Sequence, residues 1–284
     1  MGGFYRISEW IMRLSAINLL WIICSFPVFF LILSMMMTPA DQLTADYFKQ
    51  LFLLVGIVSP FTLVPASAAM FGVARKWVMG DEDVPLWKTY WKNYRDNYKQ
   101  AMIGSLAFTI IGVVLSVNYT FYMGQSGILR SLSIMFIVLM VFLLGAFLNF
   151  LSILVHLHMG TFQIVKNSVL ITVGQPINTI MLLVMNGVIG YISFTVLNGF
   201  LIVFFTGSVM AIASFWNFQR SFTRIQSRYM ASQETESGDS EEADDADEPD
   251  EANEDGGDDR EEDERLALGD GADLPDSTGG KPRE

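Results

Sequence analysis

Cysteine is all but missing from this chain. Cys24 stands alone, so no intramolecular disulfide can form and no thiolate metal site can be built from cysteine. Histidine is nearly as scarce. His156 and His158 lie two residues apart, which on a helix points them about 200° from one another and not into an i, i+4 ligand pair. Charge is absent over long intervals, the longest being the 53 residues between Lys166 and Arg220. Ion-coupled pumps and carriers keep an ionisable group inside the bundle, because burying a charge is costly and is tolerated where transport needs it. No Asp, Glu, Lys or Arg falls inside any of the apolar runs delimited below, which speaks against ion-coupled transport. The chain also lacks a phosphate-cradling glycine loop, a nucleophile elbow, a paired-carboxylate site within any of these runs and a zinc pattern. No catalytic residue, metal ligand, cofactor or nucleic-acid partner is therefore expected, and an enzyme is not.

What the chain does have is apolar surface. At 51% hydrophobic and 13% aromatic residues it falls in the membrane class, despite a sequence pI near 4.6. The net charge of -12 conceals two different objects. Residues 1–230 carry 14 Lys and Arg against 7 Asp and Glu, whereas residues 231–284 carry 4 against 23. The second segment has almost no large apolar side chains and cannot offset the entropy of ordering. It is expected to be a disordered acidic tail, in which Leu266 and Leu268 are the one contact motif.

Six apolar runs are long enough to cross a bilayer: 14–37, 51–74, 100–123, 131–155, 177–197 and 199–217. The first could pass for a secretory signal, but it is too long and Pro39 suits a cleavage site poorly, so it reads as a retained span. Asn198-Gly199 is the natural turn between the last two. Cations collect on one side: Arg6 and Arg13, six in the 75–99 interval, Lys166, then Arg220, Arg224 and Arg228, against Lys49 and Arg130 on the other. The positive-inside rule then places both termini in the cytoplasm of a cell-membrane protein. The fold expected is all-α: an integral membrane bundle of six transmembrane helices with interfacial amphipathic helices.

The most charge-rich interval before residue 220 is Arg75 to Lys99. From Pro85 on, Trp87, Trp91, Tyr94 and Tyr98 recur at i, i+4, i+7 and i+11, with Lys88, Lys92, Arg95 and Lys99 one residue later. An aromatic face thus lies beside a basic one. Pro85 suits a helix start, with the acidic turn Gly80-Asp81-Glu82-Asp83 near the helix's positive end. The expectation is a helix lying in the membrane interface, rings among the headgroups and cations toward lipid phosphate or a partner. The plainer alternative is a topological anchor.

Within the spans, Asn18, Asn118, Asn149, Asn178 and Asn186 can hydrogen-bond between helices. Asn149 and Asn186 are also candidates for lining a polar cavity. Pro27, Pro60 and Pro65 are expected to bend their spans, and Ala68-xxx-Gly72 to allow a close helix contact. Amphipathic stretches precede each hairpin, at Phe4 to Leu14, Trp87 to Tyr98 and Phe162 to Val173. They read either as a threefold repeat or as the connectors any hairpin protein needs.

Asn18-Leu-Leu-Trp21, Ser25-Phe-Pro27, Pro65-Ala-Ser-Ala-Ala69, Arg75-Lys76, Trp87-Lys-Thr-Tyr-Trp91 and Asn97-Tyr-Lys-Gln-Ala101, in this order, resemble the YesL-like family of bacterial multipass membrane proteins, domain of unknown function 624. The resemblance runs over about residues 4–225 and leaves out the acidic tail. It implies a cell-membrane protein accessory to carbohydrate ABC importers, with importer subunits and membrane lipid as partners, and it carries over no catalytic residues. Two functions compete at this point. One is a non-enzymatic accessory or scaffold protein docking through residues 87–99. The other is a transporter or substrate-binding membrane subunit for a neutral small solute, with the asparagines and bent spans forming its pocket.

Overall fold

The computed structural model describes residues 3–245. Among them the ordered elements are helical throughout: α1 (Gly3–Cys24), α2 (Phe26–Met37), α3 (Ala45–Val58), α4 (Leu63–Val78), α5 (Leu86–Met123), α6 (Ile128–His156), α7 (Thr161–Gly174), α8 (Pro176–Thr195) and α9 (Gly207–Asp245). A short 3-10 turn, Val196–Gly199, and a π-helical segment, Ile202–Thr206, join α8 to α9. Five helices are long and apolar enough to cross a membrane, six if the bent pair α3–α4 is one span. The chain divides into two units, Met1–Ser232 and Gln233–Glu284. The second is helical as far as Asp245, and most of the tail expected to be disordered, residues 246–284, lies outside the described residues.

Breaks fall where prolines and small polar residues put them. α1 and α2 part at Ser25, and Pro27 sits in the first turn of α2, where its missing N–H costs nothing. Pro60 lies in the turn between α3 and α4, which meet at 58°. Pro65 is the third residue of α4. The prolines thus open helices instead of bending them midway, and the run 51–74 is two helices, not one rod. Gly199, with φ of 83°, makes the expected turn before the last span.

The stretch 87–99 is not a separate interfacial helix. It is the first part of a single 38-residue helix, α5, that continues without interruption through the apolar run to Met123. A change from charged to apolar residues alters a helix's solvent, not its backbone, and nothing between Lys99 and Ile103 lacks an N–H or favours positive φ. The stretch 4–14 is likewise continuous with its span in α1, whereas 162–173 forms its own helix, α7, ending before Pro176.

The core lies toward one end of the bundle. On α5 no residue beyond Phe108 is buried, and on α6, Ser133 apart, burial begins at Gly145. These two helices form a hairpin, so their joined ends carry apolar side chains outward into lipid: Ile110, Val117, Phe121 and Ile134 are each more than half exposed. At the opposite end α4 is the most enclosed element, buried from Ala68 through Ala74 between α1, α5 and α6. Small residues permit this. Gly72 lies against the Asn93 side chain so closely that a Cβ there would overlap it. Trp10 of α1 meets Trp77 of α4 edge to face at 5.3 Å.

Candidate functional site

The first half of α5 combines anchors facing inward with an aromatic and basic surface facing out. Tyr90, 1% exposed, donates its hydroxyl to the carbonyl of Ala66 at 3.1 Å and pins the helix to α4. Outside, Trp87 and Trp91 stack at 6.2 Å, Trp91 and Tyr94 at 5.3 Å, and Tyr94 continues to Tyr98 at 5.6 Å. The Tyr98 hydroxyl donates to the carbonyl of Phe61 at 3.2 Å, and the Arg95 guanidinium lies 5.9 Å from the Trp91 ring centroid. The predicted aromatic ladder therefore exists as a continuous row of rings. Lys88, Lys92, Arg95 and Lys99 are exposed, and among the described residues none is paired with a carboxylate. On the same helix the basic stripe runs in register into exposed Ile103, Ile110, Val114, Val117 and Phe121.

The acidic turn before α5 has a different engagement from the one its position suggested. Arg13 of α1 donates to the Glu82 carbonyl at 2.6 Å and pairs with Asp83 at 2.9 Å and with Glu9, while Arg6 reaches Glu82 at 3.5 Å. Two arginines on α1 hold full charges toward these groups, which outweighs the half-charge of the α5 terminus.

Two of the motif residues, Asn18 and Trp21, bond across helices. Asn18, fully buried, donates to the carbonyls of Ile202 at 3.0 Å and Val203 at 2.6 Å and accepts the Ser208 N–H at 3.1 Å. Trp21 donates its indole N–H to Ser67 at 2.9 Å, tying α1 to α4. Asn149 donates to Thr172 across α6 and α7 at 3.0 Å, and Asn186 donates to Ser214 across α8 and α9 at 2.9 Å. The main-chain carbonyl of Asn178 accepts from Asn217 at 3.4 Å. Asn118 departs from the expectation: it is half-buried and bonds its own helix at Val114. Neither Asn149 nor Asn186 lines a described cleft.

A polar cleft of about 650 Å³ opens between the end of α4, the first half of α5 and the connection from α6 to α7. Arg75, Asp96, Asn97, Lys99, Gln100 and His158 are among its walls. Arg75 is held by an Nη1 hydrogen bond of 2.8 Å to the carbonyl of Val155, at the C-terminal end of α6 where main-chain carbonyls lack helical partners. Its Nε is buried without an acceptor. Gln100 donates to the Met159 carbonyl at 3.0 Å and closes one side. Part of this site has a sequence signal beyond the aromatic and basic stripes: Asn93, Asn97 and Gln100 fall at i, i+4 and i+7, a third stripe on the same helix. Nothing local marks the contribution of residues 154–160, which reach Arg75 only through the packing of α6 on α4.

Residues 14–119 match the family described as "Protein of unknown function, DUF624". Among curated proteins the chain is similar to three uncharacterized proteins of Bacillus subtilis (strain 168). YteU is 28% identical over 42% of this chain, YesL 25% over 74%, and YesV 28% over 51%. The matched regions cover 40% of YteU, 85% of YesL and 70% of YesV. No solved structure matches the chain. The chain is thus similar to the YesL-like proteins of this family, over residues 14–119 by the family match and over 74% of its length by YesL.

Proposed function

We propose that this chain is a non-enzymatic accessory or scaffold protein of the cell membrane, which docks an acidic segment of a membrane partner on the first half of α5. The observation that supports this reading is the exposed, unpaired stripe Lys88, Lys92, Arg95 and Lys99, collinear with the lipid-facing stripe that starts at Ile103. With Ile103 at the edge of the hydrocarbon, Lys99 stands among the headgroups. Lys88 is eleven residues further along and rises about 16 Å higher at 1.5 Å per residue. The headgroup layer is only about 5–8 Å deep on each side. An average tilt of about 20° shortens the rise by only a few per cent. The upper cations are thus presented past the lipid to a protein, on the cytoplasmic side if the cation count sets the orientation. The family resemblance implies the partner, a subunit of a carbohydrate ABC importer.

The alternative, a neutral-solute transporter, draws little support from the asparagines: the amide nitrogens of Asn149, Asn186 and Asn118 are taken up in helix-to-helix or intrahelical bonds, and the Oδ1 of Asn149, buried without a partner, lines neither described cleft. Co-expression of the full chain with the membrane subunits of a carbohydrate importer tests the docking. The native chain is expected to co-purify with them, and the Lys88→Gln, Lys92→Gln, Arg95→Gln triple variant to lose them while still inserting. Equal recovery of the importer subunits by both chains defeats the reading.

A further inference from the structure

The cleft beside Arg75 is unlike a structural crevice in one respect: its central cation is only half satisfied. Nη1 of Arg75 is fixed to the Val155 carbonyl, which leaves the other edge of the guanidinium unbonded, and the buried Nε on that edge has no acceptor. Among the described residues no carboxylate pairs with Arg75 or with Lys99, the second cation on the cleft wall. Asp96 is the one carboxylate lining the cleft, and it is exposed. Two cations against one anion leave one positive charge to be matched. The free Nε edge of an arginine is the planar fork that oxyanions fit.

The amides on the walls add a second requirement. Asn97 donates its amide N–H to the carbonyl of Asn93 at 3.0 Å, and Gln100 donates to the carbonyl of Met159 at 3.0 Å. A main-chain carbonyl can only accept, so these bonds fix which end of each amide is used, and the oxygens are left over for the cleft. A ligand completing the site therefore brings one negative charge for Arg75 and Lys99 and hydroxyl donors for Asn97 and Gln100.

We propose that this cleft is a binding site for a phosphoryl group carried on a hydroxylated moiety, with Arg75 as the principal ligand and Lys99 as the second. A phosphodiester supplies the single charge. The same chemistry is offered by a hydroxylated phospholipid headgroup, which could enter from the adjacent leaflet, and by a soluble phosphodiester of a polyol.

The test uses the full chain in phosphatidylcholine nanodiscs, with intrinsic tryptophan fluorescence and thermal unfolding as readouts. In one arm glycerophosphoglycerol, a soluble phosphodiester with free hydroxyls, is titrated, with glycerol and chloride as controls. In the other, phosphatidylglycerol is built into the discs in increasing proportion. Saturable stabilisation in the first arm identifies a soluble ligand, and in the second alone a lipid. Arg75→Gln is expected to weaken binding by about tenfold or more, the effect of losing a hydrogen bond to a charged group, and Lys99→Gln by several-fold. Lys99 is exposed, so its variant retains the fold even where Arg75→Gln does not. Arg130→Gln, at the far end of α6, is expected to bind as the native chain does. Absence of saturation in both arms, or native affinity in Lys99→Gln together with Arg75→Lys, overturns the proposal. The docking triple variant leaves Arg75 untouched, so failure here and failure of the docking role are separable.

Discussion

Asn18 accepts the main-chain N–H of Ser208 at 3.1 Å across 190 residues of sequence, and with its amide nitrogen it serves the carbonyls of Ile202 and Val203. Those three groups flank or belong to the π-helical turn that opens the last span. A π turn displaces the regular ladder, and in hydrocarbon a main-chain group without a partner costs free energy. One asparagine supplies both the donor and the acceptor that the turn requires.

The first prediction concerns that residue. Asn18→Leu leaves buried carbonyls and an N–H unserved and is expected to destabilise the folded chain by about 1–3 kcal/mol. Asn18→Asp keeps the acceptor for Ser208 but loses the donors, and falls between. Thermal unfolding in detergent measures both. Native stability in Asn18→Leu shows that the turn does not depend on this bond.

The contact between α4 and α5 yields the second. A Cβ on Gly72 runs into the side chain of Asn93, so Gly72→Ala is expected to cost about 1–3 kcal/mol through overpacking. Asn93→Ala removes the two nearest atoms and leaves only the Asn93 Cβ, at 2.9 Å, so the double variant is expected to lose less than the two single changes summed. Strict additivity in unfolding experiments contradicts the contact.

These two cases also show what the sequence discloses and what it hides. Apolar runs are legible because lipid demands them, and the turn at Gly199 follows from backbone chemistry, whereas the prolines read as bends within spans and the helices in fact part at Ser25 and Pro60. The aromatic and basic stripes of α5 are legible from helical spacing alone. Its continuity with the span is not, because a change in polarity resembles a boundary where the backbone has none. Interhelical asparagines can be suspected from composition, yet the partners of Asn18 and Asn186 are set by helices distant in the chain. The Arg75 cleft is the extreme case. Its acceptor, the Val155 carbonyl, lies 80 residues away and becomes an available group only because α6 ends at His156.

Threading across the membrane is the third prediction. Lys49 and Arg130 alone lie on the cation-poor side, so reporter fusions after Asp46 and Gln125 are expected outside the cell, and those after Asp83 and Ala231 inside. A fusion after Asp83 that reports an outside location removes the docking helix from the cytoplasm.

The unbroken course of α5 gives the fourth, because the docking reading depends on where Lys88 stands relative to the lipid. Spin labels replacing Lys88 and Ile110, both exposed on one stripe, are separated by 22 residues of continuous helix. At 1.5 Å per residue they are expected about 33 Å apart in the full chain reconstituted into lipid. Were the first half folded down onto the interface at a right angle near Lys99, two legs of about 16 Å would bring the labels to about 23 Å. The ten-ångström difference is well within reach of pulsed electron resonance. A short distance returns Lys88 and Lys92 to the headgroups and makes anionic lipid, not a protein partner, the natural occupant of the basic stripe.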